Sequence, residues 1–95
     1  MTIAERPAET RWTGNLAQGH GTVHASSGAF GALPMTWAVR STRPDGTSPE
    51  ELAAAAHSSC FSMALALRLG ERQMVADWLS VSATVTLDDV DGCRP

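Results

Sequence analysis

The sequence of 95 residues contains no lysine and no tyrosine, and aromatic residues make up only 5% of it. All seven basic residues are arginines, scattered without a cluster and set against ten acidic residues, for a formal net charge of −3. That pattern argues against nucleic acid or an anionic membrane as partner, because both are held by concentrated positive charge. No run of 18 uncharged apolar residues occurs, so no transmembrane helix is expected. Met1 to Glu9 carries Glu5, Arg6 and Glu9 and has no apolar stretch, so a signal peptide is not expected and a cytoplasmic location is. Two cysteines in that setting suggest thiols, reduced or used in chemistry, rather than a disulfide scaffold. Large core-forming residues are scarce as well. Leu, Ile, Val and Phe together number 17, against 15 alanines. The low net charge is not that of a disordered chain. The length fits one domain, here residues 1–95, and domains this small bury only about 60–68% of their unfolded surface. The expectation is a foldable chain with a thin core, completed by a partner subunit or by further sequence.

Along the chain, residues 1–9 show no periodicity and read as a flexible start. Arg11–Thr13 reads as a short strand ending at Gly14, Gly19–Gly21 as a turn and Thr22–Ser26 as a second strand, together a β-hairpin. Leu33 to Ser41 reads as a third strand, with Met35, Trp37 and Val39 on one face and Thr36, Ala38 and Arg40 on the other. Arg43–Gly46 is a turn. Ser48-Pro49-Glu50-Glu51 is then the sharpest local signal: Ser48 as N-cap, Pro49 at the first helical position, Glu51 closing a capping box. The helix is expected to run to about Leu69, with Gly70 as its left-handed cap. Between 49 and 69 the only charges are Glu50, Glu51 and Arg68, so the helix is expected to be buried on most sides. Val81, Ala83, Val85 and Leu87 alternate with Ser82, Thr84 and Thr86, the pattern of a half-buried strand, and Asp88–Gly92 reads as a hairpin turn.

Three side chains are candidates for chemistry. Cys60 lies inside the apolar helix, where a free cysteine is usually a small buried hydrophobe and occasionally a nucleophile. Arg40 is either a solvated surface arginine or the cation of a site. Glu50 is already explained as a helix-start acid favoured by the helix dipole. His57 stands three residues before Cys60, but two ligands alone give a zinc site little support, so no metal or cofactor is expected. Trp12, Trp37 and Trp78 are simplest as core or interface aromatics.

Two blocks of sequence carry a resemblance. They are Gly46-Thr47-Ser48-Pro49-Glu50-Glu51-Leu52 and Ala55-Ala56-His57-Ser58-Ser59-Cys60-Phe61-Ser62-Met63-Ala64-Leu65. Together they closely resemble the OsmC/Ohr family of organic hydroperoxide reductases, and the OsmC branch better than the Ohr branch. Trp12–Asn15, Gly19–Val23, Ser26–Gly28 and Val85–Gly92 look like that branch too, so the resemblance covers roughly residues 9 to 92.

The resemblance implies an α+β, OsmC-like fold: an antiparallel sheet with a long central buried helix, in an intertwined homodimer. It implies that Cys60 is the peroxidatic nucleophile and that Arg40 and Glu50 assist it. The thiolate would attack the peroxide O–O bond of an organic hydroperoxide, release an alcohol and become a sulfenic acid. A second cysteine would resolve it to a disulfide, and an external dithiol would reduce that. Geometry adds a constraint, because ten residues of straight helix place Glu50 and Cys60 ~15 Å apart. Either the helix breaks near His57-Ser58-Ser59, or Glu50 acts in another subunit's site. Compared with the family, the chain is short: the returning strand, a further helix and the resolving cysteine are expected beyond what is present. Cys93 follows a turn signal too closely for that role and reads as an incidental tail thiol. The competing expectation is a non-catalytic or partial chain that acts as an assembly module through the Val81–Leu87 strand.

Overall fold

The computed structural model describes residues 1–43 and 45–89 and divides the chain into two compact units, Met1–Ser48 and Pro49 onward. The fold class is α+β, as expected: the described residues form three antiparallel strands and two helices. Cys93 and most of the Asp88–Gly92 turn lie outside the described residues, as does Pro44 of the Arg43–Gly46 turn.

The first unit is a sheet in the order β1-β2-β3. Strand β1 is Ala8–Thr13 and β2 is His20–Ala25, paired from Ala8↔Ala25 to Thr13↔His20. The hairpin is thus present but longer than its sequence signals suggest. β1 begins inside the segment expected to be flexible, and His20 and Gly21 belong to β2 rather than to a turn. The reversal lies between the strands. Gly14 takes a left-handed φ of +93°, and Asn15 closes the loop by accepting from the Gln18 amide at its side chain and from the Gly19 amide at its carbonyl, both at 2.8 Å. Strand β3, Leu33–Met35, pairs with β2 through Gly21↔Met35 and Val23↔Leu33.

The register gathers Trp12, Gly21, Val23, Leu33 and Met35 on one face. Val23 and Met35 are the buried hydrophobic residues there. Gly21 is required by close packing, since a Cβ at that position would stand 2.7 Å from the Trp12 ring.

The third strand stops earlier than the alternation predicts. After Met35 the chain turns into a short helix, α1, spanning Trp37–Ser41. Thr36 decides this, because its Oγ1 accepts from the Val39 amide at 3.1 Å and caps the helix. The Met35, Trp37, Val39 pattern fits a strand face, but it fits a capped helical turn equally well once Thr36 supplies the acceptor. Arg40 therefore sits in the last turn of a helix and not on a strand face.

The second unit is built on α2, Pro49–Glu71. It starts at Pro49, as expected from the capping residues, and carries Glu50 and Glu51 in its first turn. It runs past Gly70, which stays helical. The left-handed residue is Gln73, with φ +60°. The Met74 amide donates to the Leu69 carbonyl at 2.9 Å and the Gln73 amide to the Gly70 carbonyl at 2.9 Å, a Schellman closure with Gln73 in the position glycine usually takes.

Two further expectations fail in this unit. None of the residues of α2 is buried; Phe61, Met63 and Leu67 are 54%, 73% and 62% exposed. The helix is apolar around most of its circumference, and the described residues do not cover it. Residues 81–87 form no strand. Alternation alone defines two faces, and a strand needs a ladder partner as well. Val81, Ala83 and Leu87 are nevertheless half-buried, in step with that alternation.

Candidate active site around Cys60

Cys60 lies in the middle of α2 and is a free, exposed thiol. It is therefore not the buried hydrophobe that its apolar surroundings in sequence suggest. At about 100° per residue, Cys60 shares its face with Ala53, Ala56, His57, Met63, Ala64 and Leu67. Ala53, Ala56 and Ala64 are the small side chains of that face, and the thiol among them is exposed.

The neighbouring serines do not compete for the thiol. Ser58, Ser59 and Ser62 each donate their hydroxyl to the carbonyl three residues earlier, on Ala55, Ala56 and Ser59, at 3.1, 3.0 and 2.8 Å. His57 and Phe61 stand on adjacent turns with ring centroids 6.4 Å apart and tilted at 40°. Polar groups thus occupy the centre of α2. By length and composition alone the helix is long and apolar enough to cross a membrane, its most apolar 18 residues having a mean hydropathy of 1.3. A spanning helix would carry its most apolar residues where α2 carries His57, Ser58, Ser59, Cys60 and Ser62.

Glu50 is half-buried in the first turn of the same helix. The helix is continuous from Glu50 to Cys60, with no break at His57-Ser58-Ser59. The two side chains are therefore separated by ~15 Å along the axis and about 80° around it. The structure does not bring Glu50 to Cys60 within one chain, and of the two routes open at the sequence level it removes the broken helix.

Arg40 belongs to the first unit. Its guanidinium carbon lies 6.0 Å from the centre of the Trp37 ring, in cation–π range, and the side chain is half-buried. This contact gives Trp37 a role that the sequence reading missed. Spacing was a usable signal, since the two stand three apart, but only on a helix and not on the expected strand.

In the connection before α2, Arg43 donates to Asp45 at 3.0 Å, and that hydrogen bond holds the Asp45 carboxyl below its usual range. Among the described residues, no three His, Cys, Asp or Glu side chains come together as a metal site.

No protein-family model matches the chain. Two curated proteins do: peroxiredoxin OsmC of Escherichia coli strain K12 and peroxiredoxin OsmC of Shigella flexneri. Each is 42% identical over 91 residues, which is 96% of this chain and 63% of the relative. The chain thus spans a little under two thirds of the length of the curated relatives it matches. That identity runs through both the sheet and the cysteine helix, so the chain is similar to peroxiredoxin OsmC over nearly its whole length.

Proposed function

We propose that the chain forms the peroxidatic part of a thiol-dependent peroxidase acting on organic hydroperoxides, and on hydrogen peroxide as well. The observation that carries this reading is the 42% identity to peroxiredoxin OsmC across 96% of the chain, Cys60 helix included. The exposed position of Cys60 supports it, since a peroxide must reach the sulfur.

In the proposed step the Cys60 thiolate attacks the terminal peroxide oxygen. The O–O bond breaks, the alkoxide leaves and takes up a proton as the alcohol, and the sulfur is oxidised by two electrons to the sulfenic acid. Only the thiolate is nucleophilic, and an ordinary cysteine titrates near ~8.5, so the site needs a cation beside the sulfur. Arg40 is our candidate. Glu50 would hold that guanidinium by a two-point contact, because the planar fork matches a carboxylate.

An unbroken α2 keeps Glu50 away from the Cys60 of its own chain. We therefore place Glu50 in the site of a second copy and propose a homodimer whose sites lie at the subunit interface. Burial of the apolar surface of α2 by protein, not by lipid, goes with that arrangement. A dithiol serves as the reductant, no nucleic acid or membrane partner is involved, and the location is cytoplasmic.

The test compares peroxide consumption by the parent chain and by Cys60→Ser, with and without a dithiol. The variant is expected to fall to the uncatalysed rate with its circular dichroism unchanged. Equal rates for the two proteins would refute the proposal.

A second reading is favoured by one observation: residues 81–87 alternate like a strand yet pair with none of the described residues. Here the chain is a non-catalytic assembly module that supplies this segment to another polypeptide's sheet. It requires association without peroxide consumption, which the same assay and a sedimentation measurement distinguish.

A further inference from the structure

Two cavities adjoin at the C-terminal end of α2, and their linings differ in kind. One, of about 460 Å³, is lined by Arg68, Leu69, Glu71, Arg72 and Met74. The other, of about 140 Å³, is lined only by apolar residues and a glycine, among them Ala66, Leu69, Val75 and Leu79. Leu69 and Met74 line both, so the charged hollow opens directly onto the apolar one.

The charge on the first is unbalanced. Glu71 accepts from Arg68 at 3.0 Å and neutralises it. The guanidinium of Arg72 is tied to no carboxylate among the described residues, so one positive charge remains. The larger hollow is open to solvent, every residue lining it but Leu69 being exposed, so it meets a head group at the surface rather than enclosing a ligand. The smaller corresponds to about four or five water molecules at ~30 Å³ each, enough for a short hydrocarbon segment.

We propose that this end of α2 binds a soluble monoanionic amphiphile, a medium-chain carboxylate. Its head lies on Arg72 beside the Arg68–Glu71 pair, and the start of its tail lies over Leu69 and Met74 in the apolar hollow. A single carboxylate matches the one unbalanced guanidinium, and the planar fork suits it. The apolar hollow gives no partner to a purely inorganic anion, and the charged hollow gives none to a neutral alkane. The site lies entirely within the second unit. Its occupation needs neither a peroxide group nor Cys60, so it stands independently of the peroxidase proposal.

Calorimetric titration of the full chain with sodium decanoate, below its micelle concentration, tests this. Saturable binding with one site per chain is expected. Decanol, which lacks the charge, should bind at least about 10-fold more weakly, the factor a lost charge-assisted hydrogen bond represents, and acetate, which lacks the tail, at least about 10-fold more weakly, the factor about two unburied methylenes represent. Arg72→Ala should weaken decanoate by about 10-fold as well. Val75→Ser, at a residue 92% exposed whose replacement leaves the fold unburdened, should weaken decanoate and leave acetate unchanged. The proposal is overturned by no saturable heat with decanoate, by decanol binding as tightly as decanoate, or by an unchanged affinity in Arg72→Ala. Binding only to vesicles containing anionic lipid would also overturn it, in favour of a membrane surface.

Discussion

The two units of the chain solve the problem of a thin core in opposite ways. In the first, a three-residue strand and a hairpin suffice to shelter Val23 and Met35, because register places them on one face with Trp12 over Gly21. In the second, a helix of 23 residues shelters nothing and leaves Phe61, Met63 and Leu67 open. Ladder bonds pair β1, β2 and β3, and helical bonds run along α2. What differs is the apolar surface: the sheet unit covers some of its own, and the helix unit carries Cys60 on a face that nothing described covers. Truncating an apolar side chain should therefore cost more stability in the first unit than in the second.

The largest contrast is expected between core and helix side chains. Met35→Ala should destabilise by about 2–3 kcal/mol, the lower part of the range for a large-to-small core change. Phe61→Ala, although it removes a larger side chain, should cost under about 0.5 kcal/mol in an unassembled chain. Urea denaturation of both variants checks this. A large loss for Phe61→Ala would show that α2 is already covered and would remove the contrast.

Glycine substitutions sharpen it next. Gly21→Ala forces a Cβ within 2.7 Å of the Trp12 ring and 2.9 Å of the Arg11 carbonyl oxygen, and should cost about 1–3 kcal/mol. Gly70 is helical with nothing within 4 Å of such a Cβ, so Gly70→Ala should stabilise α2 by about 0.5–1 kcal/mol. Thermal melts that move in the same direction for both variants would contradict the contrast.

The smallest effect lies in the segment before α2. The Asp45 carboxyl is held below its usual value by the Arg43 hydrogen bond. A carboxyl depressed in the folded state favours folding above its unfolded value and loses that contribution as pH falls through the folded one. Arg43→Gln should return Asp45 to the ordinary range in an NMR titration. Because the pair is exposed, stability at neutral pH should barely change.

Much of this was legible in the residues, and the failures share a cause. Ser48-Pro49-Glu50-Glu51 located the start of α2 because capping is a local interaction. The strand face through Met35, Trp37 and Val39 did not form, because one acceptor on Thr36 outweighs a two-residue alternation. Gly70 was the obvious cap, yet the closure uses Gln73, since the chain's path after the helix and not glycine's preference sets where the left-handed residue falls. Burial of α2 and pairing of 81–87 both depend on surfaces that composition cannot supply. For the site, Cys60 and the helix bearing it were readable. Whether Glu50 lay close was a matter of helix continuity, which the serines at 58 and 59 left open until their hydroxyls were seen bonded back along an unbroken helix.

Trapping of the sulfenic acid tests most directly whether Cys60 is the residue that reacts. The chain is exposed to a stoichiometric organic hydroperoxide with a dione trap present, and the labelled peptides are identified by mass spectrometry. A peroxide-dependent adduct is expected on the peptide bearing Cys60, formed much faster than on a free cysteine peptide. Labelling of Cys60 no faster than that peptide, or an adduct confined to Cys93, would contradict it.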